Sequence, residues 1–353
     1  MTNLTCRREE SLTMRAQRVF GMALAILVLG SGLARAAGEN RAGTSGAPEL
    51  RMPIGARNIG MAGANLGMVT GVESIFYNPA GIAGSDAPTE VMFSNTQYIA
   101  DMAVNFVGVT QKVGNVGTLG LSAKVFSVGE IPFTSENAPD GTGELFSPTF
   151  ATLGLTYGRQ MTDRVNFGGT IYYVAEKIMQ ETAAGVAFDF GFQYDTGFQG
   201  LMLGMSMKNF GPSLQFDGAD FDQNIVLPGD DPQSAPRTVG SGSAKFELPS
   251  YFQIGMSYPV MRGVNNLMIH GLYQNNSYSV DDGRLGAEYM YRKDAAIRLG
   301  YKFNGNDDDL FGLTYGAGVR VPLGSANLWV DYAGEQVSEF FDDVQHISLN
   351  LTF

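Results

Sequence analysis

From Glu90 to Phe353 one pattern recurs: apolar side chains alternate, residue by residue, with small or polar ones. Val186, Phe188, Phe190, Phe192 and Tyr194 alternate with Ala187, Asp189, Gly191 and Gln193. Phe311, Leu313, Tyr315, Ala317, Val319 and Val321 alternate with Gly312, Thr314, Gly316, Gly318 and Arg320. In the last nine residues Ile347, Leu349, Leu351 and Phe353 fall on one side, and His346, Ser348, Asn350 and Thr352 on the other. A period of two sends successive side chains to opposite faces, so each segment is a ribbon with one oily and one polar face. A free edge on such a ribbon invites pairing with other chains, and closing the sheet on itself removes the edge. An oily face turned outward and a polar face turned inward suits a barrel in lipid. The expected fold is all-β: a closed antiparallel transmembrane β-barrel. About fourteen segments fit, over 89–98, 102–112, 117–128, 149–160, 164–177, 182–194, 199–209, 245–258, 266–276, 283–292, 294–303, 311–321, 326–334 and 344–353.

The connections carry a second signal. Every other one is tight, as at 114–116, 161–163, 195–198, 261–265, 292–293 and 322–325. The others are on the whole longer and more acidic, as at 129–147, 210–244, 304–310 and 335–343. Short turns at one end and long loops at the other are the habit of outer-membrane barrels, and an even strand count puts both termini on the short-turn, periplasmic side. Tyr98, Tyr157, Tyr194, Tyr258, Tyr301 and Tyr332 lie near strand ends, where interfacial rings belong. Ile347, Leu349, Leu351 and Phe353 mark the barrel-closing strand, through which the barrel-assembly machinery would engage the chain.

Arg15 and Arg18 precede an apolar run over 19–29, and Ala34-Arg35-Ala36 offers a small-x-small cleavage site, so residues 1–36 read as a signal peptide. Met1 and Met14 are both possible starts. Cys6 is the only cysteine and leaves with that segment, which removes disulfides, thiolate metal sites and cysteine nucleophiles. The whole chain carries a net charge of −12. Residues 1–36 hold five Arg and two Glu, so the remainder stands at −15, which excludes a nucleic-acid partner. No later apolar run approaches the ~20 residues of a membrane helix.

Residues 37–49 are small and polar and read as a mobile leader. Residues 50–88 lack alternation and are rich in Gly, Ala and Met. Asn78-Pro79-Ala80-Gly81 reads as a short helical turn, with Asn as cap and Pro at the first helical position. A wide barrel with an empty lumen is an open pore, and irregular backbone is tolerated at membrane depth only where protein shields it. Residues 89–353 form the barrel domain.

The segment 50–84 carries Gly55-Ala56-Arg57, Gly60-Met61-Ala62-Gly63-Ala64 and Ser74-Ile75-Phe76-Tyr77-Asn78-Pro79-Ala80-Gly81. It resembles the N-terminal region of the PorV/PorQ family of outer-membrane proteins, a branch of the FadL-like transporter superfamily, which shares the Asn78-Pro79-Ala80 motif. The resemblance implies a location in the outer membrane of a Gram-negative-type bacterium and an N-terminal hatch, residues 50–88, folded inside the lumen. Its hatch residues would be Gly55, Arg57, Gly60, Met61, Gly63, Tyr77, Asn78, Pro79, Ala80 and Gly81. Arg57 and Glu73 would pair with lumen charges such as Asp189, Glu288, Arg298, Arg320 or Asp331, or those charges balance one another.

Catalysis has little to work with. His270 and His346 are the only imidazoles, no nucleophile elbow occurs in strand–turn–helix context, and no cofactor is implied. Asp281-Asp282 and Asp307-Asp308-Asp309 are candidate calcium ligands, with solvated loop charge the favoured reading. Pro249 either kinks the wall within strand 245–258 or precedes a strand starting at Ser250. Two non-enzymatic functions follow from the resemblance. The PorV-like one is binding or presenting a secreted-protein cargo, as in the type IX secretion system. The FadL-like one is passage of a hydrophobic ligand, such as a fatty acid, sideways into outer-membrane lipid.

Overall fold

The structure, a computed structural model, describes residues 43–225, 237–240, 242–304, 311–337 and 342–353. The signal peptide, residues 37–42 of the leader and Asp307-Asp308-Asp309 lie outside the described residues. Fourteen antiparallel strands close into one barrel: β1 (Thr89–Gln97), β2 (Ala103–Val113), β3 (Gly117–Ser127), β6 (Thr149–Thr162), β7 (Val165–Ile178), β8 (Glu181–Asp195), β9 (Met202–Phe210), β12 (Tyr251–Met261), β13 (Asn266–Asn276), β14 (Asp282–Tyr291), β15 (Ala295–Asn304), β16 (Phe311–Leu323), β17 (Ala326–Val337) and β18 (Val344–Thr352). Each pairs with its sequence neighbours, and β18 closes the ring on β1 from Glu90↔Thr352 to Gln97↔Gln345. Two small hairpins, β4 (Ile131–Pro132) with β5 (Leu145–Phe146) and β10 (Asp222–Ile225) with β11 (Arg237–Gly240), sit in the long connections.

The alternation sorts the two faces as expected. Phe93, Leu121, Leu153, Ile171, Phe192 and Ile297 are exposed on the outer wall, Leu121 at 58% and Ile297 at 63%. Their neighbours Ser94, Thr152, Thr170, Gln193 and Arg298 are buried inside. An apolar belt of this extent is stable against hydrocarbon and would aggregate in water. Among the described residues no helix is long and apolar enough to cross a membrane. Tyr157, Tyr194, Tyr301 and Tyr332 are exposed on the outside, whereas Tyr98 shares the parity of the buried Thr96 and lines the interior.

Three expectations need correction. The strand placed at 245–258 begins at Tyr251. Pro249 therefore precedes the wall and does not kink it; its carbonyl accepts a bond of 3.1 Å from Asn209 Nδ2. The alternation before it, Lys245-Phe246-Glu247-Leu248, serves a different purpose. Phe246 bridges Leu214 of the same long connection, and Leu248 packs into a cluster with Leu50, Val174 and Leu214. Second, residues 47–49 of the leader are packed rather than mobile: Ala47 and Glu49 are fully buried. Third, Gly46 N–H donates to the Glu247 carbonyl at the long-loop end, whereas Lys112 N–H donates to the Pro88 carbonyl beside a short turn. The stretch 46–88 thus runs the length of the barrel. The barrel itself begins and ends at the short-turn side, with Phe353 N–H donating to the Thr89 carbonyl, but residues 43–50 lie at the opposite one.

Candidate ligand vestibule and the segment beneath it

Residues 50–88 lie within the ring of strands and bond to it on every side. Gly55 N–H donates to Ser94 Oγ on β1, Ala56 N–H to Ser348 Oγ on β18 and Ala62 N–H to Thr314 Oγ1 on β16. On the far side Gln193 Nε2 on β8 donates to the Val69 carbonyl and Tyr172 on β7 to that of Ile75. Backbone without a regular partner is satisfied by inward side chains, which is how an irregular segment persists at membrane depth. Two short helices, α1 (Ala56–Ile59) and α2 (Ser74–Tyr77), and a 3₁₀ turn, Pro79–Gly84, give it shape.

Asn78 is the most connected residue of the motif. Its Oδ1 accepts from Ala80 N–H and caps the 3₁₀ turn, with Pro79 at the first helical position. Its Nδ2 donates to the Leu66 carbonyl (3.1 Å) and to the Phe192 carbonyl of β8 (3.0 Å), tying the segment to the wall. Tyr77 Oη donates to the Ile54 carbonyl at 2.9 Å. Met61, Pro79, Ala80 and Gly81 are buried, and Gly63 turns at φ +69°. Gly55 turns at φ +75°, where a Cβ would run into the Glu73 carboxylate. A Cβ on Gly60 would lie 3.2 Å from Gly316 Cα, so the helix touches β16 backbone to backbone.

The charges resolve into two networks. Arg57 Nη2 meets Glu288 Oε1 at 2.9 Å; Arg298 bridges Glu288 and Asp331, both at 2.7 Å. Glu73 accepts from Asn58 Nδ2 at 2.7 Å. Arg320, expected among the lumen charges, pairs with Asp294 at the exposed rim. Across the barrel Lys208 pairs with Asp189 and donates to the Phe76 carbonyl. Lys124 Nζ and Lys208 Nζ lie 4.7 and 5.4 Å from the Phe76 ring centroid. Both lysines share the inward parity of Ser122 and Ser206, although nothing else in the sequence marks them.

Above the segment, on the long-loop side, a cavity of about 560 Å³ opens. Its floor includes Met52, Pro53, Ile59 and Phe76, and its wall is polar, with Tyr251, Gln253, Gln274, Asn276 and Arg284 from β12 to β14. Arg51 stacks on Tyr278 with its guanidinium carbon 4.1 Å from the ring centroid. Below α1, on the short-turn side, a space of about 120 Å³ is lined by Arg57, Glu73, Trp329 and Asp331. Asp281 and Asp282 are buried beside the vestibule, not solvated. Asp281 accepts from Tyr273 Oη, Asn275 Nδ2 and Asn276 N–H, and Asp282 from Arg284. His346 is buried and bonds Thr96 Oγ1 at 2.8 Å; His270 bonds Ser257 Oγ at 2.8 Å, where Ser257 is sealed from solvent. Ile347 and Leu349 of β18, and Phe353 just beyond it, are exposed on the outside.

A closed fourteen-stranded antiparallel barrel is a fold that this chain shares with known outer-membrane channels. The CymD monoaromatic hydrocarbon channel is similar over 85% of this chain and 98% of its own, with a TM-score of 0.54 and 12% identity. The P. putida toluene transporter TodX matches over 85% and 97%, at 0.52 and 12%. A Pseudomonas aeruginosa FadL homologue matches over 86% and 98%, at 0.50 and 12%. No protein-family model and no curated protein matches the sequence. At this identity the likeness is one of fold.

Proposed function

We propose that the chain is a passive outer-membrane channel for small organic molecules with an apolar body. The observation that carries this is the vestibule: the lumen is filled by residues 50–88, yet a cavity of ligand size remains on the long-loop side with a smaller space beyond α1. The fold it shares with hydrocarbon channels supports the same reading. A molecule leaving the vestibule meets α1, held by the Arg57–Glu288 pair, so passage requires that contact to yield. The PorV-like alternative, presentation of a secreted protein, rests on the resemblance of residues 55–80. Location in the outer membrane follows from the apolar belt and the signal-like residues 1–36.

The test is uptake of radiolabelled small aromatics, toluene and an aromatic carboxylate, by cells with a lipopolysaccharide-bearing outer membrane, with and without the protein; a rise for either one supports the channel. The channel reading expects faster uptake in its presence. Uptake unchanged by expression, together with a secreted protein captured from outer-membrane extract, would favour cargo presentation instead.

A further inference from the structure

The vestibule is not built like a slot for a plain hydrocarbon. Its lining carries three cations, Arg51, Arg284 and Lys302, against two carboxylates, Asp282 and Glu335. Arg284 is committed: its Nε donates to Asp282 at 2.6 Å and its Nη2 to Gln274 at 2.8 Å. Arg51 is not. It is exposed to the cavity, lies flat on Tyr278, and has no carboxylate partner among the described residues. Tyr251 lines the same space at 8% exposure, and its hydroxyl has no hydrogen-bond partner among the described residues.

We infer that the vestibule seats a small hydroxylated aromatic carboxylate, with Arg51 and Tyr251 taking the carboxylate and the ring lying on the Met52, Ile59 and Phe76 floor. This rests on the channel reading and names its substrate class. A carboxylate accepts charge-assisted bonds from a guanidinium and a phenol, the two donors left open. A bare hydrocarbon would strip water from both and return nothing. A long alkyl chain would lie along the Gln253–Gln274–Asn276 row, a wall of amides tied together by side-chain bonds of 2.7 and 2.6 Å that offers it little apolar surface. A ring hydroxyl suits that polar wall where an alkyl chain does not.

The test is equilibrium binding of 4-hydroxybenzoate to the whole protein in lipid nanodiscs near neutral pH. 4-Hydroxybenzamide, octanoate and toluene are the comparison probes. Expected is saturable binding of 4-hydroxybenzoate, with at least tenfold weaker binding of the other three. Arg51→Gln weakens it at least tenfold and Tyr251→Phe severalfold, while both variants keep the heat-modifiable gel mobility of a folded barrel. Binding of toluene or octanoate as tight as that of 4-hydroxybenzoate overturns the assignment, as does binding that neither substitution changes or no saturable binding at all. Toluene uptake without carboxylate binding sinks this seat and leaves the channel standing; carboxylate binding without any uptake does the reverse.

Discussion

Lys208 on β9 and Asp189 on β8 form an ion pair inside the barrel, and neither side chain is open to water. The pair sits where the two strands slip register, between Phe188 and Phe190, and Asp189 also accepts from the Asn209 N–H at 2.7 Å. The slip leaves backbone donors unpaired, and the carboxylate satisfies one of them. The ammonium in turn holds the Phe76 carbonyl, so wall and internal segment share one charge pair.

Breaking that pair from one side should be costly. Lys208→Met leaves a buried, unpaired carboxylate, a loss of about 3–5 kcal/mol. Lys208→Met with Asp189→Leu should recover most of it, short of the Asn209 bond. Urea unfolding midpoints in bilayers check this; a double variant no better than the single one contradicts it.

Gly55→Ala should lower stability by about 1–3 kcal/mol, because φ is +75° and the new methyl meets Glu73. Gly114→Ala, in a short turn at φ +49° with nothing within 4 Å, isolates the backbone effect and should lose about 1 kcal/mol. Equal losses in the same unfolding measurement would show that the Glu73 contact is unimportant.

Asn78 makes an asymmetric prediction. Asn78→Ala removes a cap, about 1 kcal/mol, and two donors to buried carbonyls. Asn78→Asp keeps the cap oxygen but turns a charged oxygen toward those carbonyls. The isosteric Asp should therefore unfold at lower urea than Ala. The reverse order would mean that the side chain serves only as a cap.

Glu49 supplies a pH dependence. Burial, then the neighbouring Glu176, raises its carboxyl from an ordinary 4.5 to about 8. A carboxyl raised on folding holds its proton better in the folded state. Its contribution is therefore complete below about pH 4.5, falls as pH rises, and is gone above about pH 8. Hydrogen exchange at residues 46–50 should quicken between pH 6 and pH 8.5, and Glu49→Gln should flatten that change. A wild-type rate rising no faster than in the variant would rule it out.

Much of this architecture is legible in the sequence because period two is a strong signal. All fourteen wall strands and the outward turn of Ile347 and Leu349 follow from it. Parity also places Lys124, Lys208 and Tyr98 inside. It misleads at Phe246 and Leu248, where alternation serves a pairing within a loop. Arg51 leaves no trace, since it lies in a stretch without periodicity and its neighbour Tyr278 is more than two hundred residues away. The motif around Asn78 foretells a capped turn, but not that its amide reaches Phe192 on the wall.

Oily faces look out and polar ones look in, with residues 50–88 inside. Trp329, the chain's one tryptophan, tests this arrangement directly, because it lies on the inner face beside Asp331 and Asn350. In bilayers of brominated lipid its fluorescence should be quenched severalfold less than that of a tryptophan placed by Leu121→Trp in a Trp329→Phe background. Strong quenching of Trp329 with little at position 121 would turn the barrel inside out and contradict the account.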